Sequence, residues 1–138
     1  MRKRTQAREF ALQLLYQLDI TENKDCEAAL NNLWQTQEGS VAEDIKIFSA
    51  DLVKGVIANF ETLDKKIAQY ASNWQIERMA VVDRNILRLA SYELLFRDDI
   101  PPKVSINEAI ELAKKYSGIE AAKFVNGILD KVKTDKKA

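Results

Sequence analysis

The sequence predicts an all-α fold: a compact bundle of about seven helices, arranged as two three-helix sub-bundles around a central apolar helix. Three observations lead there. Apolar residues recur at spacings of three and four along most of the chain, the period of a helix with one buried face. No segment alternates apolar and polar residues as a half-buried strand does, and no unit repeats at a fixed period. Only four Gly and two Pro punctuate 138 residues. The chain reads as one domain, with an N-terminal lobe over residues 1–78, a C-terminal lobe over 79–133 and a basic tail over 134–138.

Taken in order, Phe10, Leu14, Leu15 and Leu18 trace one face of a first helix that also buries Ala7 and Ala11, and the polar stretch from Thr21 to Asp25 breaks it. A second helix is predicted from Cys26 to Thr36, with Ala29, Leu30, Leu33 and Trp34 inward and Gly39 as its stop. Ser40-Val-Ala-Glu43 fits a capping box, in which the Ser oxygen accepts from the third helical amide and the Glu reaches back. It would open a third helix that buries Ile45, Phe48, Leu52, Val53, Val56, Ile57 and Phe60. Leu63, Ile67 and Tyr70 mark a shorter fourth helix. Met79 to Phe96 is the most apolar segment and is predicted as the central helix, through Val82, Ile86, Leu89, Ala90 and Leu94. Pro101 and Pro102 stop it, because proline lacks the amide donor and disfavours helix in the residue before it. Ser105-Ile-Asn-Glu108 is a second capping-box pattern, opening a helix that Gly118 ends. Ala121, Val125, Ile128 and Val132 form the stripe of the last helix. Gly127 interrupts that helix, and a close approach of another backbone is the physical reason to expect it there.

The net charge of zero hides a segregation. Residues 1–16 carry Arg2, Lys3, Arg4 and Arg8 against Glu9. Residues 17–64 carry ten acids against Lys24, Lys46 and Lys54, and residues 65–138 carry fourteen bases against ten acids. Basic ends around an acidic middle suit either a dipolar surface with a face for an anionic polymer or ordinary solvated helix faces. Cys26 stands alone and His is absent, so no internal disulfide and no transition-metal cluster is expected. With no His, no phosphate-cradling loop and no nucleophile elbow, the sequence does not read as an enzyme. Lys54-Gly55 lacks the rest of a P-loop. No apolar run is long enough to cross a bilayer and the start lacks a signal core, so a cytoplasmic location without membrane contact is expected.

Several segments carry more detail than helix rules require. They are Arg8-Glu-Phe-Ala-Leu-Gln-Leu-Leu-Tyr16, Val82-Asp-Arg-Asn-Ile-Leu-Arg-Leu-Ala-Ser-Tyr-Glu-Leu94, Asn107-Glu-Ala-Ile-Glu-Leu-Ala-Lys114 and Lys123-Phe-Val-Asn-Gly-Ile-Leu-Asp130. Together they resemble the NusB family of bacterial transcription antitermination factors, over essentially the whole chain. The resemblance implies an all-helical fold of two three-helix sub-bundles and no cofactor. It implies a factor that binds a short single-stranded boxA element of ribosomal RNA leader transcripts together with the ribosomal protein NusE. The pair would promote read-through of terminators by an RNA polymerase complex that includes NusA and NusG. A related module precedes a methyl-donor-binding domain in a ribosomal RNA methyltransferase family; within 138 residues the sequence is expected to be the factor instead.

By the same resemblance, Arg2, Lys3, Arg4 and Arg8 match the arginine-rich RNA-binding start, with Thr5 and Gln6 where further arginines can occur. Guanidinium groups suit this role because they grip phosphate bidentately or stack on bases. Lys123 and Phe124 match positions near the family's RNA surface, although Phe124 flanks the apolar stripe and equally fits the core. Glu120 is read as rim, and Asn126 with Gly127 as structural. Tyr16, Asp83 and Glu93 are candidates for the partner-protein surface. Asp83 stands where relatives often carry Glu, and pairing with Arg84 or Arg88 is its other reading. The competing function is a helical protein–protein scaffold that does not touch RNA.

Overall fold

Seven α-helices account for nearly all of the computed structural model, which describes residues 2–72 and 74–135. They are α1 (Lys3–Thr21), α2 (Cys26–Thr36), α3 (Glu43–Ala58), α4 (Phe60–Tyr70), α5 (Val81–Phe96), α6 (Pro102–Tyr116) and α7 (Ile119–Val132). Single 3₁₀ turns cover Ile76–Arg78 and Lys133–Asp135, and no strand occurs among the described residues. The last three residues of the expected basic tail lie outside the described part.

Helix α5 is the axis. It packs against α1, α3 and α4 on one side and α6 and α7 on the other. Its buried residues, from Asn85 to Leu94, point in every direction around the helix, as a helix without a solvent face requires. The α1–α3 and α6–α7 pairs flank it, and one hydrophobic core runs through both groups. Between α1 and α3 the buried Ser49 hydroxyl donates to the Ala7 carbonyl oxygen at 2.8 Å. The sequence points to Gly127 for the close helix approach, yet the structure has it at Gly55. A Cβ there would overlap the ring of Tyr92, which reaches across from α5 and stacks on Phe96. Gly127 is exposed and a Cβ there would meet nothing, so the structural reading of Asn126-Gly127 is corrected. That glycine costs α7 about 1 kcal/mol relative to Ala without any return in packing.

Both capping boxes are also corrected. Helix α3 starts only at Glu43, after Ala42, and Ser40 lies outside it. Glu43 and Asp44 occupy the first turn instead, where carboxylates complement the helix dipole. Helix α6 starts at Pro102, three residues before the expected Ser105 cap. Proline at the first position suits a helix start because its missing N–H would have no partner there. Ser105 and Glu108 are thereby moved inside the helix, onto its buried side. Gln37, not Gly39, closes α2, and the helix expected to reach Phe60 breaks at Asn59, whose side-chain amide donates to the Gly55 carbonyl. Gly118 does close α6: its N–H donates to the Ala113 carbonyl at 2.7 Å, and its φ of +124° is one that side chains rarely tolerate.

Candidate nucleic-acid interface

The first turn of α1 brings Arg2, Lys3 and Arg4 together at the surface, all exposed. Lys3 reaches Asp44 at the start of α3, 3.0 Å away, and holds that carboxyl below its usual range through the hydrogen bond. Arg4 lies over the Phe48 ring, 4.3 Å from its centroid. Arg97, from the end of α5, approaches the same ring at 5.3 Å and forks onto Asp99 at 2.8 and 2.9 Å. That fork, outweighing the opposing effect of burial, draws the Asp99 carboxyl down to about 2. Phe48 is therefore a buried anchor under a layer of guanidinium groups. No local pattern marks this role, because Phe48 belongs to the apolar stripe of α3 and meets Arg4 only in the fold. The Lys3–Asp44 and Arg4–Asp99 pairs are solvent-exposed, and the second is long at 4.0 Å, so a phosphate can replace their carboxylates at little cost.

Arg8 departs from the expectation. It is 2% exposed, and its guanidinium forks onto Glu93 of α5 at 2.7 and 2.9 Å. Its third contact is Glu108 of α6 at 3.3 Å. Thr5 donates to the same Glu108 oxygen and Ser105 donates to Glu93, at 2.6 and 2.8 Å. Neither Arg8 nor Glu93, itself 1% exposed, has a surface to offer RNA or a protein. Both are corrected: their charges neutralise each other across the α1–α5–α6 junction, where the absence of water forces pairing. The network holds the basic turn in place, since Thr5 and Arg8 bracket it from behind while Arg2 and Glu108 stand 3.9 Å apart at its edge. A signal for this was present in the sequence. Arg8 shares a helix face with Leu12 and Leu15, and Glu93 lies between Ala90 and Leu94 in the most apolar helix.

A second region lies on α7. Lys123 is exposed and 3.6 Å from Glu120, one turn earlier. Phe124 is half-buried: it packs on the core and meets Trp74 edge to face, with 5.9 Å between ring centroids. Among the described residues, no hydrogen bond, ion pair or ring contact links this region to the first turn of α1.

Tyr16 borders an apolar groove of about 480 Å³ between α1, the start of α5 and the end of α6. Phe10, Leu12, Tyr16, Val82 and Tyr116 line it, and Tyr16 is 40% exposed. Asp83, next to Val82, is half-buried with its Oδ1 shielded from solvent and without a hydrogen-bond donor. The pairing of Asp83 with Arg84 or Arg88 is absent. Arg84 forks onto Asp19 of α1, while Arg88 bridges Asp19 and Asp64 of α4. Burial raises the Asp19 carboxyl, but hydrogen bonds from Arg84 and Asn85 and the charges of Arg88 and Arg84 outweigh it and hold it low. No cluster of His, Cys, Asp or Glu able to hold a metal occurs among the described residues. No helix there is long and apolar enough to cross a membrane.

Comparison with known proteins identifies the family and the fold. A sequence profile of the NusB family matches residues 5–134. The transcription antitermination protein NusB of Thermodesulfovibrio yellowstonii is 45% identical over 137 residues, covering 94% of this chain and 91% of that protein. The solved structure of T. maritima NusB matches with a TM-score of 0.88 and 36% identity, over 98% of this chain and 93% of that one. A second solved structure, the antitermination factors NusB and NusE in complex with double-stranded RNA, matches with a TM-score of 0.84 and 29% identity. It covers 97% of this chain and 98% of that one.

Proposed function

This chain belongs to the NusB family, and on that premise we propose that it is a transcription antitermination factor that binds RNA together with NusE. It is a binding factor, not an enzyme. Its RNA is the single-stranded boxA element of ribosomal RNA leader transcripts. In the cytoplasm, the resulting complex acts on RNA polymerase alongside NusA and NusG. The chain works as one domain, residues 1–138, with lobes over 1–78 and 79–133.

One observation carries this reading: 97% of the chain matches a structure of NusB solved with NusE and double-stranded RNA, and its own first turn presents three solvent-facing cations. Arg2, Lys3 and Arg4 take phosphates, Lys123 takes a further one, and Phe124 offers an aromatic edge. Three to five such contacts give log affinity falling against log salt with a slope of roughly −2 to −3.5 for single strands. The groove at Tyr16 receives an apolar element of NusE. The same groove favours the second reading, a protein–protein scaffold that leaves RNA alone.

Fluorescence anisotropy of a labelled boxA oligonucleotide separates the two. The oligonucleotide binds the chain weakly alone and at least tenfold more tightly once NusE is added. An affinity that NusE leaves unchanged would exclude the adaptor role.

A further inference from the structure

Trp74 is among the most exposed large apolar residues of the described protein, at 56%. It lies in the connection after α4, and its ring meets Phe124 at an interplanar angle of 68°. Phe124 is anchored in the core and covers one side of the indole, leaving more than half of the residue open. On the same side of α7, one turn from Phe124 and Lys123, Gly127 presents bare backbone with nothing near the place of a Cβ.

We propose that Trp74 and Phe124 form a two-ring stacking platform for unstacked bases of single-stranded RNA, with Lys123 holding the connecting phosphate and Gly127 letting the strand lie against α7. The proposal rests on the RNA-binding reading and extends it to a residue that neither the sequence pattern nor the family resemblance had marked. The chemistry favours RNA over a protein partner. A protein interface needs a broad apolar centre, but the residues beside Trp74 in sequence, Ser72, Gln75 and Glu77, are exposed and polar. A base needs only an aromatic face and a cation for its phosphate, and every base has such a face. Lys123 supplies the cation, with only the exposed Glu120 beside it.

The test uses the full chain with NusE and a labelled boxA oligonucleotide. Trp34→Phe leaves Trp74 as the only indole, because Trp34 packs separately against Phe10. In that background the oligonucleotide quenches tryptophan fluorescence along the same curve that anisotropy gives for binding. Trp74→Ala weakens RNA binding on the order of tenfold with an unchanged melting temperature, and Trp74→Phe restores most of the affinity. RNA binding at full affinity by Trp74→Ala would overturn the platform while leaving the RNA reading intact. A Trp74→Ala chain that loses NusE capture but not RNA would overturn it in favour of a protein contact. Failure of the unaltered chain to bind the oligonucleotide at all would remove both readings together.

Discussion

Arg8→Ala is expected to destabilise the protein by about 3–5 kcal/mol, a large part of the roughly 5–15 kcal/mol that holds a domain of this kind folded. The side chain is buried, and removing it strands two carboxylates in the interior. Glu93 would keep only the Ser105 hydroxyl, and Glu108 only Thr5 and the distant Arg2. An unpaired buried charge costs more than the lost attraction, because water cannot reach it. Arg8→Lys retains the charge but not the fork onto Glu93, and falls between wild type and Ala. Arg4→Ala, one turn away, shifts stability by no more than about 0.5 kcal/mol, since its ion pair is exposed. Urea denaturation midpoints of the three variants check this ordering. Equal effects at Arg4 and Arg8 would contradict the buried junction.

Asp19→Ala has the second-largest expected effect, about 3 kcal/mol. Asp19 is the acceptor on which Arg84, Asn85 and Arg88 converge, tying α1 to α5. Arg88 keeps its fork onto Asp64, so the loss is partial. The effect also has a sign in pH. The Asp19 carboxyl is held below its ordinary value in the folded state. Its stabilisation is therefore complete above the unfolded carboxyl's pKa of about 3.9. It disappears as pH falls through the lower folded value. Urea midpoints of wild type and Asp19→Ala differ fully at pH 7 and converge at pH values well below 4. A gap that persists unchanged in acid would show that Asp19 acts other than through its charge.

The helices themselves were legible because a helix announces itself within a few residues. The faces of α1, α2, α4 and α5 follow from period alone, and the central place of α5 follows from its being the most apolar segment. Helix starts were less legible. Ser40 and Ser105 each satisfy a local capping pattern, but acids in the first turn of α3 and Pro102 at the first position of α6 start those helices elsewhere. Ser105 and Glu108 are then free to serve a partner that no local pattern reveals, since Arg8 lies 100 residues from Glu108 and 85 from Glu93. The same distance hid the site. The face that Arg8 shares with Leu12 and Leu15 hints at burial, but nothing local names Glu93 and Glu108 as the carboxylates that allow it. The exposure of Trp74 and the clamp on Phe48 likewise arise only when separate helices meet. Of the partner candidates, Tyr16 lines an exposed groove, while Asp83 is half-buried with one oxygen shielded from solvent.

On the proposed reading, the first turn of α1, held from behind by Arg8, is the part of the chain that grips RNA. The direct measurement is a salt titration of boxA RNA binding, in the presence of NusE, by wild type and by a chain with Arg2, Lys3 and Arg4 all replaced by Ala. Three lost phosphate contacts make the slope of log affinity against log salt shallower by about 2 and lower affinity on the order of tenfold or more near physiological salt. An unchanged slope and affinity, in a variant that melts like wild type, would place the RNA elsewhere on the protein.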